Sequence, residues 1–520
     1  MKDAVTIFLE RSGPSLSSDV VEFLVTSLGV APATARKRVS RATGDIKKLG
    51  YITFPRKARF VYLQKDFGSP LYWAKLTDAL LQTKSAYGYA IAALKQRNGF
   101  IPSWQFPIAC GAPLRQAKHL SPDTIYTRLN EAGLLTKTLV PGLGECICLV
   151  QDAGYYDRWS SDTRARLLTE ELLLAAIGDW VRRLGIVSYD TVKTRTPDAL
   201  PKVGTFAWDL TAPSYLGFMV KRAVEGKPKP GFFACDVFLD LVDEHGVQPF
   251  IRKCETLRQL RNVGSCMQVF VARRFTKGAH RLLKQHGIIA ATPGSLFGED
   301  VAAGLEQLTS VLRASAFVSI DPAEFDELFR KFSKLEGALI QLRGTMFEFL
   351  SAEIARRTLS PNVRLNQTYR GSTGEYAEAD VVAIREGDSV TFIECKGYNP
   401  YAEVPHNLVE QWLQKRVPRI YYAARNHPDW KNLTIRFALW STGTLSAESL
   451  EIITKAKASI KPARYSIDVL LGEDVLKLCK GAKDASLLVT FKKHFTKGGR
   501  RASTAELESS DETQNALSLT

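Results

Sequence analysis

The amino-acid sequence predicts a multidomain protein that combines α+β and α/β units. The chain has 520 residues, which is enough for three or four domains. Helical patterns with a few short strand-like runs fill residues 1–155. The later segments alternate amphipathic helices with apolar strands, which is typical of α/β folds. Hydrophobic residues make up 45% and charged residues 24% of the chain, the proportions of a globular protein.

Residues 1–66 contain three helical stretches followed by a basic hairpin. The third stretch starts at Pro32 and stops at Gly50, and YITFPRKARFVYLQ then has the pattern of two short strands around a turn. This is the element order of a winged helix, in which one helix enters the major groove and the wing contacts the DNA backbone. A winged helix that binds protein is the alternative. The residues predicted to contact DNA are Arg36, Lys37, Arg38, Arg41, Arg56, Lys57 and Arg59.

Residues 67–155 repeat this order behind a packing helix, YWAKLTDALLQT. Ser121 is a suitable N-cap for the third helix of the repeat, and Gly133 marks its end. This helix has fewer basic residues than its counterpart, with Arg128 inside it and Lys137 just beyond it. The second winged helix is therefore expected to be structural.

The remaining chain divides into two α/β units. Residues 160–312 form the first, residues 313–345 are predicted to be a connecting helix, and residues 340–495 form the second. The tail 496–520 is polar and poor in apolar residues, so we expect it to be disordered.

The net charge and the cysteines indicate which partners and which cell compartment to expect. The net charge is +16, and the sequence pI is about 9.4. This excess favours a polyanionic partner, usually nucleic acid, although solubility alone would also explain it. The eight cysteines are scattered, and only Cys146 and Cys148 lie close together, so reduced thiols in a cytoplasmic protein are expected rather than a zinc site. The sequence shows no signal peptide, membrane span or Walker-type nucleotide-binding motif.

The stretch EYAEADVVAIREGDSVTFIECKGY carries the chemical motif. Two apolar strands are separated by the turn REGDS, with Asp380 expected at the start of the first strand and Glu394 and Lys396 near the end of the second. Residues two apart on a strand share a face, so Glu394 and Lys396 project together. Two facing carboxylates favour a hard cation such as Mg²⁺, and the nearby lysine can orient water or contact a phosphate. A surface ion pair is the alternative.

At these residues the chain resembles the PD-(D/E)xK nuclease superfamily, which has the restriction-endonuclease-like fold. The resemblance implies that Asp380, Glu394 and the main-chain carbonyl of Cys395 hold Mg²⁺, with Mn²⁺ as a possible substitute. It also implies a helical acid, for which Glu348 is the candidate and Glu353 the competitor. Two polar residues on the helix after the motif are weaker candidates for a supporting role, namely Gln411 and Gln414.

The first α/β unit aligns with the second as a degenerate copy. FFACDV aligns with FIECKG, so that Ala234 replaces the glutamate and Asp236 replaces the lysine, while Asp209 matches Asp380. On the preceding helix, Glu170 or Glu171 matches Glu348. The closing segment RRFTKGAHRLLKQHGIIAATPGSLF resembles modification-dependent restriction endonucleases of the Mrr type. The predicted architecture is therefore two winged helices followed by two restriction-endonuclease-like domains, the first degenerate.

This resemblance implies hydrolysis of phosphodiester bonds in double-stranded DNA, in restriction or defence against foreign DNA. One alternative is a DNA-binding regulator or an adaptor subunit of a defence complex, in which the nuclease fold is structural. Another is a repair or branched-DNA nuclease, or an enzyme that acts on RNA. A homodimer or a defence-system partner protein is possible, and no membrane association is expected.

Overall fold

The computed structural model confirms a multidomain chain of mixed α and β structure. It describes residues 3–150, 154, 156–188, 190–220, 229–260, 263–314, 323–333, 335–460 and 464–497. Contacts divide the chain into two compact units. The first comprises Met1–Leu139, Glu145–Trp159 and Val181–Leu296, and the second comprises Val140–Gly144, Ser160–Trp180 and Phe297–Thr520.

The amino-terminal part of the first unit begins with a three-stranded sheet and three helices. Apolar side chains of the helices and strands, including Val5, Leu24 and Val39, form its core. The strand order is β1-β3-β2, and both pairings are antiparallel. The elements are α1 (Ala4–Ser12), β1 (Ser15–Leu16), α2 (Ser17–Thr26), α3 (Pro32–Arg41), β2 (Ile46–Lys48) and β3 (Phe60–Leu63).

A second three-stranded sheet follows, with the order β4-β6-β5. After α4, its elements repeat the sequence helix, strand, helix, helix, strand, strand. The hydroxyl groups of Ser69, Ser85 and Ser121 accept hydrogen bonds from backbone amides at the starts of α4, α5 and α7. The elements are α4 (Pro70–Gln82), α5 (Ala86–Lys95), β4 (Phe100–Pro102), α6 (Phe106–Ala109), α7 (Pro122–Glu131), β5 (Leu135–Val140) and β6 (Gly144–Leu149).

The long helix α8 (Tyr156–Arg183) leads to a five-stranded middle sheet with the order β13-β12-β11-β10-β7. β10 pairs antiparallel with β7 and β11, whereas β11, β12 and β13 run parallel. β8 and β9 form a separate hairpin. The elements are β7 (Lys193–Thr194), β8 (Lys202–Val203), β9 (Phe206–Ala207), β10 (Leu210–Ser214), β11 (Gly231–Val242), α9 (Glu244–Arg258), β12 (Cys266–Phe275), α10 (Lys277–Gln285), β13 (Ile289–Ala291) and α11 (Pro293–Phe297).

The second unit is built on a five-stranded sheet with the order β14-β15-β16-β17-β18. β14, β15 and β16 are antiparallel neighbours, whereas β16, β17 and β18 run parallel. The elements are α12 (Glu299–Ala314), α13 (Ala323–Lys331), α14 (Glu336–Thr358), β14 (Val363–Arg370), β15 (Tyr376–Arg385), β16 (Ser389–Lys396), α15 (His406–Gln411), α16 (Val417–Asn426), β17 (Thr434–Ser441), α17 (Ala447–Ser459), β18 (Ser466–Leu470), α18 (Gly472–Gly481) and α19 (Ala485–Phe495).

The two five-stranded sheets share one topology. Each consists of two antiparallel pairings followed, across the sheet, by two parallel pairings, and the chain visits the strands in the same order. In both, the central strand (β11 or β16) joins the antiparallel half to the parallel half. Equivalent positions on these strands can therefore be compared by their pairing register.

The unit bounds differ from the predicted domain 160–312. Residues 160–180 of α8 group with the carboxy-terminal sheet, not with the middle sheet. Glu170 pairs with Arg166 at 3.0 Å, and Glu171 accepts a hydrogen bond from Gln341 at 3.3 Å. The proposed match of these acids to Glu348 in a middle domain is therefore wrong. Amphipathic periodicity indicates which face of a helix is buried, but not which sheet covers it.

Residues 313–345 do not form a single connecting helix. They include the end of α12, the separate helix α13 and the first residues of α14, with 315–322 and 334 outside the described residues. The predicted disordered tail lies outside them from residue 498 onward. No helix in the described part of the chain has both the length and the apolar character needed to cross a membrane.

Candidate active site

The hairpin of β15 and β16 brings two carboxylates together. Val381 pairs with Ile393, so the next position of the antiparallel register sets Asp380 opposite Glu394. The backbone amide of Cys395 donates to Oδ2 of Asp380 at 2.7 Å. β15 begins at Tyr376, so the expectation that Asp380 starts the strand is wrong. The aspartate lies in the middle of a longer strand, because the polar residues before it also pair with β14.

Glu394 is buried and is contacted by two cations. Its side chain is 3% exposed, and its Oε1 accepts from Nζ of Lys396 at 2.6 Å and from the guanidinium of Arg416 at 2.5 Å. The Lys396 side chain is 17% exposed and that of Arg416 is 37% exposed. Both cations therefore converge on one carboxylate oxygen while remaining accessible from solvent.

Burial and neighbouring charges shift the pKa values of Asp380 and Glu394 in opposite directions. Burial, reinforced by Glu394, raises the pKa of Asp380 to about 7. Burial also opposes ionisation of Glu394, but Lys396 and Arg416 hold the pKa of that carboxyl below its usual range. Burial disfavours the charge on Lys396, yet Glu394 and Asp380 raise the pKa of its ammonium group. At neutral pH, Glu394 and Lys396 are charged while Asp380 is close to its titration midpoint.

The long helix α14 contributes a third carboxylate. Burial, followed by the nearby charge of Asp380, raises the pKa of Glu348 well above its usual range. Glu353 instead pairs with Arg356 and with Arg357, whose Nε lies 2.8 Å from its Oε1. The charge of Asp380 therefore acts on Glu348, whereas Glu353 is paired with two arginines of its own helix.

A glycine allows α14 to approach the end of β16. A Cβ atom at Gly397 would lie 2.5 Å from Cβ of Phe347 and 2.7 Å from the carbonyl oxygen of Arg343, and 3.1 Å from Cα of Gly344. Only a residue without a side chain permits this contact. Gly397 directly follows Lys396, so the close approach holds the helix of Glu348 next to the strand of the two other acids.

Two further charged residues at the site escaped the sequence reasoning. Glu378 lies two positions before Asp380, and the guanidinium of Arg164 on α8 is 3.9 Å from its carboxylate. Burial raises the pKa of Glu378 and lowers the pKa of Arg164. The negative charges of Glu378 and Glu348 partly offset the lowering of the Arg164 pKa. The alternation of Glu378 and Asp380 on one strand was a usable signal. Nothing in the local sequence of α8 indicates the role of Arg164.

The helix after the motif brings Arg416 to Glu394. Gln411 and Gln414 are exposed, and the amide of Gln414 donates to Glu410 on the same helical segment. Residues Trp412–Arg416 form a π-helical turn between α15 and α16. Pro418 follows and has no amide hydrogen to donate to the preceding turn. Arg416 is the last residue of this wider turn, and its guanidinium group contacts Glu394.

The carboxylate oxygens of Asp380 and Glu394 are of the kind that Mg²⁺ prefers as ligands. No group of three or more His, Cys, Asp or Glu side chains is arranged to hold a metal within the described ranges. The two carboxylates of Asp380 and Glu394, with the carbonyl of Cys395, would leave positions for water and phosphate oxygens, as Mg²⁺ prefers. All eight cysteines, each of them in described parts of the chain, are free thiols.

The middle sheet repeats the carboxylate geometry. Leu210 pairs with Cys235, so Asp209 stands opposite Asp236, and the amide of Val237 donates to Oδ2 of Asp209 at 2.7 Å. This is the relation of Cys395 to Asp380.

Asp236 therefore occupies the position of Glu394, and the alignment that set it in place of Lys396 is wrong by two residues. That alignment paired Cys235 with Cys395 by residue type, whereas strand register determines equivalence. Ala234, the proposed replacement for the glutamate, lies two residues before Asp236 on the same strand and is buried.

The basic residues of α3 and the following turn are available to a ligand. All seven are exposed, and none forms an ion pair within the described part of the chain. Arg56 and Lys57 have positive φ angles of 56° and 59°. In the second small sheet, by contrast, Arg128 donates to the hydroxyl of Tyr87 at 2.9 Å and Lys137 pairs with Glu145 at 2.7 Å. These two cations each have a partner within the chain, although the Lys137 side chain is 41% exposed.

Comparisons with known proteins add little to this geometry. No family model and no curated protein matches the chain. Among solved structures, the chain is similar to the restriction endonuclease FokI, with 11% identity over 87% of this chain and 79% of that chain. The TM-score is 0.21, and a likeness this weak carries no argument about fold or function.

Proposed function

We propose that the protein is a Mg²⁺-dependent endonuclease that hydrolyses phosphodiester bonds in double-stranded DNA. The observation that carries this proposal is the convergence of Asp380, Glu394 and Lys396 at paired strands, with Glu348 on the helix packed beside them. Two buried acids and a charged lysine are the groups that metal-assisted attack on a phosphate diester requires. The sequence resemblance to the PD-(D/E)xK nucleases points to the same chemistry.

Each residue has a role that its surroundings support. A bound Mg²⁺, or Mn²⁺ in its place, would acidify a water and offset charge that develops on the phosphate. Asp380 and Glu394 would hold the ion, with the carbonyl of Cys395. Lys396, kept charged by both acids, would orient the attacking water or contact the phosphate. Glu348 has a raised pKa and would hold or accept a proton at its carboxylate.

The amino-terminal part would hold the duplex. We propose that residues 1–66 and 67–155 are winged helices, because each has the helix and strand order of that fold. The exposed and unpaired cations of α3 and the turn would contact the DNA, with Arg36 and Arg38 on the helix and Arg56 on the wing. The second copy would be structural, since Arg128 and Lys137 already have partners within the chain. Restriction or defence in the cytoplasm is the proposed setting.

Plasmid cleavage tests the catalytic assignment. Wild type, Lys396→Ala and the matched control Lys415→Ala would be incubated with supercoiled DNA and Mg²⁺, with EDTA as the blank. Lys415 is exposed on the neighbouring π-helical turn. Loss of a positioning cation should lower the rate by about 10²-fold or more, while the control cuts normally.

Two results would contradict the proposal. Equal cutting by wild type and Lys396→Ala would mean that the activity does not come from this site. Failure of wild type to cut any DNA or RNA would instead favour the regulator or adaptor interpretation. Binding of the uncut plasmid, measured in Ca²⁺, separates loss of catalysis from loss of DNA binding.

A further inference from the structure

The middle sheet encloses a lysine in a shell of oxygen atoms. Nζ of Lys253, on α9, contacts Oδ2 of Asp236 and lies 2.9 Å from the carbonyl oxygen of Ala207 and 3.5 Å from that of Ile108. The lysine side chain is 0% exposed. The ring of Trp208 lies 4.0 Å from Nζ on another side. An ammonium group thus sits where three protein oxygens converge beside a carboxylate pair.

The second carboxylate of this pair has its own cation. Arg195 contacts Oδ1 of Asp209 at 2.6 Å, and both side chains are buried. The amide of Asp209 also donates to Oδ1 of Asp236 at 3.1 Å. Each acid is therefore matched by one internal cation and held by backbone amides. In the carboxy-terminal site, by comparison, Lys396 and Arg416 both contact Glu394 and remain partly exposed.

The chain itself closes this cluster. The short helix α6 supplies the carbonyl of Ile108, and just beyond it a Cβ atom at Gly111 would lie 2.1 Å from the carbonyl oxygen of Pro249 on α9. Gly111 also has a φ of 67°, which favours glycine. The backbone that follows α6 thus lies directly against the helix of Lys253. Asp236 itself is buried, with 6% of the residue exposed.

We infer that the ammonium group of Lys253 occupies the position of a divalent cation in the middle sheet, which makes this copy of the carboxylate site a metal-free structural ion cluster. Asp209 and Asp236 stand in the register of Asp380 and Glu394, so the sheet still presents two facing acids. A buried pair of acids requires positive charge, and here the chain provides it from α9 and from Arg195. The comparison rests on the proposed metal site of Asp380 and Glu394, whereas the test below measures stability and Mn²⁺ binding at the middle sheet and not DNA cleavage.

Removal of the lysine tests whether it stands in for a metal. All variants would carry Asp380→Asn, so that divalent ions bound at the carboxy-terminal site do not obscure the result. Lys253→Ala leaves both acids and the two carbonyls around an empty volume. Without this cation the variant should be less stable in EDTA than the Asp380→Asn parent, with a Tm about 10 °C lower. Millimolar Mn²⁺ should restore most of that loss.

Two further variants make the test specific to the oxygen shell. Lys253→Met fills the volume without charge, so it should lose stability that Mn²⁺ does not restore. Adding Asp236→Asn to Lys253→Ala should abolish the restoration by removing the nearest carboxylate. Direct Mn²⁺ binding would be measured by calorimetry, with one additional site expected in Lys253→Ala relative to the parent.

The inference would be overturned if Lys253→Ala were as stable as the parent in EDTA. It would equally be overturned if Mn²⁺ failed to recover the fold, whether the protein is soluble or must be refolded with the ion. Equal recovery of Lys253→Ala with and without Asp236→Asn would show that the ion acts elsewhere.

Discussion

Asp380 lets the candidate site be probed without DNA, through the pH dependence of stability. Burial and the nearby Glu394 raise its pKa to about 7, whereas an unfolded aspartate titrates near 4. The folded apo protein therefore retains this proton at pH values where the unfolded chain releases it. The stabilising contribution is complete below about pH 4, declines as pH rises, and is lost once pH exceeds about 7.

The size of the effect follows from the shift. A displacement of about three units corresponds to about 4 kcal/mol as an upper limit, and the side chain is only 8% exposed, so solvent screening is small. When the pH rises from about 5.5 to about 8, stability falls over the roughly 1.5 pH units below the folded pKa of Asp380 and then levels off. The apo protein should therefore lose about 2 kcal/mol of stability from Asp380 over this range.

Asp380→Asn removes this titration while retaining an oxygen that can accept the amide of Cys395. Melting curves would be recorded in EDTA at both pH values for wild type, Asp380→Asn and the control Glu386→Gln. Glu386 lies exposed in the turn of the same hairpin. Wild type and the control should lose about 4–8 °C more in Tm than Asp380→Asn on going to the higher pH. Parallel behaviour of all three proteins would refute the assignment of a raised pKa to Asp380.

Three further variants test neighbouring parts of the argument. Arg416→Gln removes one of two cations from Glu394, so the Mn²⁺ affinity measured by calorimetry without DNA should rise about fivefold; a value equal to that of Lys415→Gln would contradict this. Arg36→Ala should weaken DNA binding and reduce the slope of log K against log salt by about one, whereas Lys65→Ala should leave both unchanged in gel-shift titrations. Gly397→Ala should cost about 1–3 kcal/mol in denaturant unfolding, because its Cβ would meet the backbone of α14, and Gly481→Ala, which has open space, should not.

The sequence was sufficient for the parts of the site that depend on local periodicity. Asp380, Glu394 and Lys396 lie within one hairpin, where alternation and a short polar turn specify which side chains face each other. Glu348 was a candidate only through the family resemblance, and its distinction from Glu353 required the arginine partners of Glu353.

Features that depend on distant packing were missed. Arg164 reaches the site from α8, a helix whose amphipathic pattern gives no indication of the sheet that it covers. In the middle sheet, the equivalence of Asp236 and Glu394 depends on register and not on matching cysteines. Lys253 was overlooked because the cation comes from α9 rather than from the strand that carries the acid.

The π-helical turn before α16 has a consequence for how this site can vary between related chains. Such a turn differs from an α-helix by one extra residue, and each residue of an α-helix advances by about 100° around the axis. Deleting one residue between Trp412 and Arg416 would restore regular winding and rotate the arginine away from Glu394, with little change in the strands. The loss or gain of a single codon would then switch this cation out of the site or into it, while the three acids and Lys396 remain in place.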